Sequence, residues 1–190
     1  MRMRPATVHD VPGVYRVCHQ TGRRTFNPDL LGHMYAGPYL ANQGELAWVV
    51  VDSEGVAGYI LGCRDTRQFE RWCEQSWWPA LREQYPLDPA DPDADLVRLL
   101  HQPPQSPGAL VTDYPAHLHI DLLPRTQGHG YGRKLIDQLS DALQRDGAPG
   151  VHLGVGADNT NAIEFYRHLG FVSEPNASTS TTLWMTRALT

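Results

Sequence analysis

The chain has 190 residues, 41% of them hydrophobic and 19% charged, enough for one domain with a substantial core and too little for two ordinary ones. A formal net charge of -5 with no basic run argues against a general nucleic-acid binder, and Lys134 is the only lysine. Three cysteines (Cys18, Cys63 and Cys73) are an odd number without metal-type spacing, which argues against a disulfide framework and for a reducing cytoplasm. Arg2 and Arg4 lead into no apolar run of signal-peptide length, and no stretch approaches the roughly 20 apolar residues of a membrane span, so a cytoplasmic protein with no membrane partner is expected.

In chain order, Met3–Ala6 is a short strand candidate. Thr7 and Asp10 then form a helix-start pair, with negative charge in the first turn where it is favoured. Val11, Val14, Tyr15, Val17 and Cys18 follow at helical spacing, and Gly22 is the expected stop. Residues 27–40 read as a short helix and then an ordered loop. Glu45–Val51 is a buried strand, Asp52-Ser53-Glu54-Gly55 a hairpin turn, and Val56–Cys63 the returning strand.

Residues 64–115 are unusual. Phe69, Trp72, Trp77 and Trp78, then Leu81 and Tyr85, recur near helical spacing between proline-rich loops. The segment is too apolar for a disordered linker and reads as a helical insertion packed on the same domain. Ala116–Leu123 is the next strand. Its His117, His119 and Asp121 alternate with Leu118, Ile120 and Leu122, so the three polar side chains share a face. Residues 130–146 form a helix with Leu135, Ile136, Leu139 and Leu143 on one side. A strand (Gly150–Val155), a short helix (Asn161–Leu169, stopped by Gly170) and a closing antiparallel pair (Phe171–Ser173 with Thr182–Arg187) complete a mixed α/β sheet flanked by helices.

Two segments carry chemistry. Gln127-Gly128-His129-Gly130-Tyr131-Gly132 lies between a strand and a helix. A glycine-rich turn there leaves backbone N–H groups uncovered beside a partly positive helix N-terminus, which suits a phosphate or pyrophosphate; a purely structural turn is the alternative. The second is Asn159-Thr160-Asn161 leading to Tyr166, Gly170 and Phe171.

These segments resemble the Gln/Arg-x-x-Gly-x-Gly/Ala and Asn-x-x-Ala-x-x-x-Tyr-x-x-x-Gly-Phe signatures of GNAT acetyltransferases. Asp10–Cys18, the stretch Ser76–Tyr85 and the insertion around it also resemble the acetyltransferase-like domain at the C-terminus of animal O-GlcNAcase and its stand-alone bacterial relatives. The resemblance implies a GNAT fold over residues 1–190: a central, mostly antiparallel mixed sheet flanked by helices, with the insertion before the fourth strand. It implies acetyl-CoA as co-substrate and direct transfer of the acetyl group to an amine. Main-chain groups of Leu122 and Leu123 would pair with the pantetheine arm. The amides of Gln127, Gly128, His129, Gly130, Tyr131 and Gly132 would hold the pyrophosphate, with Arg133 and Lys134 adding charge. Asn159 and Asn161 would cap the last helix and bind the CoA arm. Tyr166 would give a proton to the departing thiolate.

Asp121, His119 and His117 are each candidates for the base, directly or through water. Tyr35, Tyr39, Trp72, Trp77 and Trp78 are candidates for an acceptor pocket or for plain core. A His-x-His-x-Asp metal site is set aside, because no fourth ligand has recognisable spacing. The animal O-GlcNAcase domain is regarded as a pseudo-acetyltransferase lacking a good glycine loop, so a non-catalytic acetyl-CoA-binding module is the alternative function. The final strands would allow a homodimer.

Overall fold

The computed structural model describes residues 1–189. Its frame is a seven-stranded sheet in the order β1-β2-β3-β4-β5-β7-β6: β1 (Arg2–Pro5), β2 (Ala47–Asp52), β3 (Gly55–Cys63), β4 (Ala116–Leu122), β5 (Gly150–Gly156), β6 (Val172–Ser173) and β7 (Thr182–Ala188). Strands β1 to β4 are antiparallel neighbours, and so are β5, β7 and β6. Only β4 and β5 run parallel, and they pair at just Ala116↔Val151 and His117↔His152. Beyond His117 one edge of β4 has no strand beside it among the described residues, and the two strands part.

Strand alternation sorts the side chains onto two cores. On one face, Ala47, Val49, Tyr59 and Leu61 pack with α1 (Val11–Thr21), α2 (Leu30–Tyr35) and the insertion helices α4 (Thr66–Trp72), α5 (Trp78–Gln84) and α6 (Ala94–His101). On the other, Val50, Ile60, Leu118 and Leu153 pack with α8 (Tyr131–Arg145) and α9 (Thr160–His168). The apolar stripe of α8 is the expected one: Leu135, Ile136, Leu139 and Leu143 are all buried.

The helical insertion is present, and α7 (Gly108–Asp113) ends it. Two details differ from the sequence expectation. Residues 27–40 carry two helices rather than a helix and a loop: α2 ends at Tyr35 and α3 (Gly37–Asn42) restarts at once. Pro38 explains the restart, since proline is tolerated in a first helical turn. Between α4 and α5 the chain makes a π-helical turn over Cys73–Trp77, an insertion of the kind that leaves little periodic trace in sequence.

The N-terminal strand is tied to α1 by one carboxylate. Both oxygens of Asp10 accept from Arg4, at 2.7 Å each. The Thr7 N–H and hydroxyl also donate to Asp10, at 2.8 Å each. The Asp10 side chain is 6% exposed, and the Arg4 hydrogen bond above all holds its carboxyl at about 2. A depressed carboxyl stabilises the fold above its unfolded-state value and loses that stability as pH falls through its folded value. The shift corresponds to about 2 kcal/mol. Asp10→Asn is therefore expected to lower stability by roughly that amount at neutral pH in urea unfolding. The wild-type advantage should shrink as pH falls below the usual carboxylate range toward about 2; an advantage constant with pH would contradict this assignment.

Candidate active site

Strand β4 carries the polar face. Its register against β3 places Tyr59 opposite Asp121, Leu61 opposite His119 and Cys63 opposite His117. All of these side chains lie on the α1 and insertion side of the sheet, because Leu118, Ile120 and Leu122 occupy the other.

The three polar residues share a face but not a role. His117 is closed in. Thr66 Oγ donates to Pro115 O at 2.7 Å, so it accepts the Nδ1–H of His117 at 2.7 Å, and His117 Nε2 accepts from Tyr39 OH at 2.7 Å. Burial, then the neighbouring His152 and His119, push its imidazole down to about 3. A neutral ring with both nitrogens engaged cannot serve as the base, which corrects the expectation that any of the three could. His152 sits beside it, ring centroids 5.6 Å apart. Burial lowers its imidazole too, and its Nδ1 meets Tyr114 O at 2.7 Å.

His119 and Asp121 form a second group. His119 Nε2 lies 3.3 Å from Asp121 Oδ2, poorly aligned, and has no hydrogen-bond partner among the described residues. The contact is one of charge rather than of a directed hydrogen bond. Burial alone would lower the His119 imidazole, but the Asp121 carboxylate outweighs it and raises it above the ordinary value. Tyr59, fully buried, donates its hydroxyl to the same Asp121 Oδ2 at 2.5 Å. Both neighbours thus address Oδ2. The His119 and Asp121 side chains remain 31% and 22% exposed, so the pair is reachable from solvent. Tyr35 stacks on the His119 ring at 5.6 Å and 20°.

Of the other aromatics, Trp78 is core, Trp72 and Trp77 pack against it, and Trp77 Nε1 donates to His33 O. Tyr35 is the one that reaches His119. Tyr59 and Cys18 were not anticipated from sequence. Cys18 is buried on α1, and its sulfur lies within 4.8 Å of the ligand atoms of His119 and Asp121. Pairing the two strands in register would have found Tyr59; the helical spacing of Val14, Val17 and Cys18 marked Cys18 only as a core residue.

On the opposite face lies the glycine loop. Leu123 N–H donates to Ala57 O at 2.9 Å. In an antiparallel ladder this makes Leu122↔Gly58 a non-hydrogen-bonded pair, so the main-chain groups of Leu122 point away from β3, toward the edge that β5 has left. Leu123 differs from expectation. Its N–H is taken, and its carbonyl accepts from the Thr126 N–H at 2.9 Å and hydroxyl at 2.7 Å. Both its main-chain groups are spent, leaving it none to offer a ligand.

Arg125 anchors the next turn, its Nε donating to Asp52 Oδ2 at 2.7 Å. Gly128 and Gly130 then adopt left-handed φ of +73° and +74°, with nothing within 4 Å of where a Cβ would stand. Gly130 is the N-cap of α8, with no side-chain cap, so the first N–H groups of that helix, Tyr131 and Gly132 among them, lack partners within it. Gly132 is needed for close approach: a Cβ there would lie 2.8 Å from Phe165 Cζ on α9. The Tyr131 hydroxyl donates to Met1 O at 2.7 Å. His129 Nδ1 meets Gln127 O at 2.8 Å. Arg133 and Lys134 are exposed on the first turn, Lys134 over the Tyr131 ring. An uncapped helix terminus behind two left-handed glycines fits an anionic phosphate group.

Asn159 caps α9, its Oδ1 accepting from Ala162 N–H at 3.1 Å, and Asn161 is exposed in that first turn. Tyr166 is 9% exposed and packs between Phe165 and Phe171. Burial first, and then the Asp121 carboxylate, push its phenol well above the ordinary value. It is therefore protonated at neutral pH and lies within the field of Asp121.

Comparison with known proteins gives a consistent picture. The acetyltransferase (GNAT) family profile matches residues 15–171. Protein O-GlcNAcase of Rattus norvegicus is 25% identical over 179 residues, which cover 88% of this chain and 20% of that protein. Mycothiol acetyltransferase of Brachybacterium faecium is 32% identical over 127 residues, 66% of this chain and 37% of that protein. The chain thus spans well under half the length of these relatives. The crystal structure of SsHAT superposes with a TM-score of 0.86 at 35% identity, over 100% of this chain and 98% of that one. The fold is also that of yncA from Salmonella typhimurium, solved with its cofactor acetyl-CoA, at a TM-score of 0.59 and 16% identity over 100% and 94% of the two chains. Among the described residues no helix is long and apolar enough to cross a membrane. With the profile spanning most of its length and SsHAT matching it end to end, the chain belongs to the acetyltransferase (GNAT) family.

Proposed function

We propose that the protein is an acetyl-CoA-dependent N-acetyltransferase that moves an acetyl group directly to an amine acceptor. One observation carries this reading. The opening beside β4 is flanked on one face of the sheet by the uncapped α8 terminus and on the other by a carboxylate that solvent can reach. The first suits a phosphate-bearing donor and the second a protonated amine. The family membership and the acetyl-CoA-bound neighbour support the donor.

On this reading the amides of Gly128 to Gly132 hold the pyrophosphate, the expected Gln127 N–H being spent on Pro124 O at 3.1 Å, and Leu122 offers its outward carbonyl to the pantetheine arm. Arg133, Lys134, Asn159 and Asn161 line the same approach. The bound thioester supplies an activated acetyl group. Asp121 is the base, because Tyr59 and His119 both address its Oδ2 and leave Oδ1 to take the amine proton, directly or through a water. His119 steadies that carboxylate. The Leu122 N–H is a fixed donor for oxygen that gains negative charge, and the protonated Tyr166 phenol gives its proton to the leaving sulfur. Holding both reactants in one opening removes much of the entropic barrier. Residues 1–190 act as one acetyltransferase domain, with residues 64–115 as its insertion.

A second reading, a non-catalytic acetyl-CoA-binding module, is favoured by the likeness to O-GlcNAcase over 88% of the chain. An acceptor screen separates the two. CoA release from acetyl-CoA with a panel of primary amines and peptides supports the enzyme; acetyl-CoA binding without turnover across the panel supports the module.

With an active acceptor in hand, Asp121→Asn and Tyr166→Phe are each expected to lower kcat by about 10²–10⁴-fold, the usual worth of positioned proton transfer. Acetyl-CoA affinity by calorimetry should change little; unchanged kcat in either variant would remove that residue from its role. Gly132→Val should act on the donor side instead. Its side chain meets Phe165, so a loss of about 1–3 kcal/mol in stability and weaker acetyl-CoA binding are expected. Wild-type affinity in that variant would contradict the placement of the loop.

A further inference from the structure

Cys18, His119 and Asp121 come from different parts of the chain, α1 and β4, yet their ligand atoms lie within 4.8 Å of one another. His119 Nε2 is buried and has no hydrogen-bond partner among the described residues. It lies 3.3 Å from Asp121 Oδ2. Two ligand atoms on one tetrahedral zinc ion, each bound at about 2.0–2.1 Å, are themselves roughly 3.3 Å apart. The pair is thus too poorly aligned for a good hydrogen bond and correctly spaced for a shared ion.

The Tyr59 hydroxyl bonded to Asp121 Oδ2 is an outer-shell partner of the kind that orients ligating carboxylates. The ring of Tyr35, stacked on His119, restrains that imidazole as well. His117 does not belong to the group, since Tyr39 and Thr66 hold both its nitrogens. Cys63 and Cys73 are buried away from it, their thiols pushed up by burial.

We propose that Cys18 Sγ, His119 Nε2 and the Asp121 carboxylate form a binding site for a zinc ion. Sulfur, imidazole and carboxylate together select zinc over the hard cations magnesium and calcium. Three protein ligands leave the fourth position to water or to a donor from a bound molecule. The ion sits on Asp121, so it blocks the amine's approach to that carboxylate and inhibits reversibly. That consequence rests on the acetyl-transfer reading; the binding itself does not.

Cobalt(II) is the probe, titrated into the chelator-treated full chain without acetyl-CoA or acceptor. The expected result is one ion per chain, with a near-ultraviolet thiolate-to-cobalt band and the strong visible bands of a four-coordinate ion, all abolished by zinc. Cys18→Ser should remove the near-ultraviolet band, while Cys63→Ser and Cys73→Ser retain it. Tyr59→Phe should weaken zinc binding about 10–100-fold. No thiolate band in the wild type, or a band that survives Cys18→Ser, overturns the site. If Cys18→Ser does not fold, X-ray absorption of the zinc-loaded wild type decides: a sulfur scatterer with nitrogen and oxygen supports the site, and nitrogen and oxygen alone overturn it. A working acetyltransferase with no cobalt spectrum refutes the zinc site only; a cobalt spectrum in a protein with no turnover refutes the acetyl-transfer reading only.

Discussion

Pairing between β4 and β5 stops after Ala116↔Val151 and His117↔His152, and the site depends on where it stops. Up to His117 the strand has a neighbour on each side, and the polar residue there is enclosed. From Leu118 onward, among the described residues, β4 pairs only with β3, and the outward main-chain groups of alternate residues have no strand partner there. Buried backbone groups must find partners, so such an edge is tolerated only where a ligand or water can meet it. The alternation then does two things at once. It turns Leu122's main chain toward the opening and sends the side chain of Asp121 to one face of the sheet.

The same alternation explains why two histidines two residues apart differ so much. His117 lies on the closed part of the strand, beside His152 and under the insertion, where Thr66 and Tyr39 hold a neutral ring. His119 lies past the fork, beside a carboxylate that favours its charged form. A polar strand face that looks uniform in sequence is thus divided by the point at which a neighbouring strand leaves. His117 belongs to the enclosed half and His119 to the half that faces Asp121.

Most of the fold was legible because its periodicities are strong. The α8 stripe, the β2–β3 hairpin, the insertion and the polar face of β4 all read directly. The glycine loop was legible because φ above zero at Gly128 and Gly130 and close packing at Gly132 demand that residue type. What stayed hidden was set by contacts between distant segments. Cys18 carries only the spacing of a core residue, and nothing local says that the buried face of α1 lies over Asp121. Tyr59 is one apolar-looking position in a buried strand until the β3–β4 register sets it opposite Asp121. Leu123 fails as a ligand group for a reason no motif displays: the turn after it consumes its carbonyl.

On the proposed reading the sheet also separates two tasks. The helices α8 and α9 and the glycine loop occupy one face and are bound tightly to it, with Leu135, Ile136, Leu139 and Leu143 all fully buried. A rigid helix terminus is what a phosphate group needs, because its binding energy comes from N–H groups already in place. The other face is covered by α1, α2 and the insertion, elements joined by loops and broken by Pro38, Pro79 and a π-helical turn. Residues that touch His119 from that side, Tyr35 among them, come from these irregular segments. Changes there would reshape what approaches Asp121 without disturbing the donor side. On the proposed reading, acceptor choice is written in α1, α2 and the insertion, and the shared donor chemistry in the loop and α8.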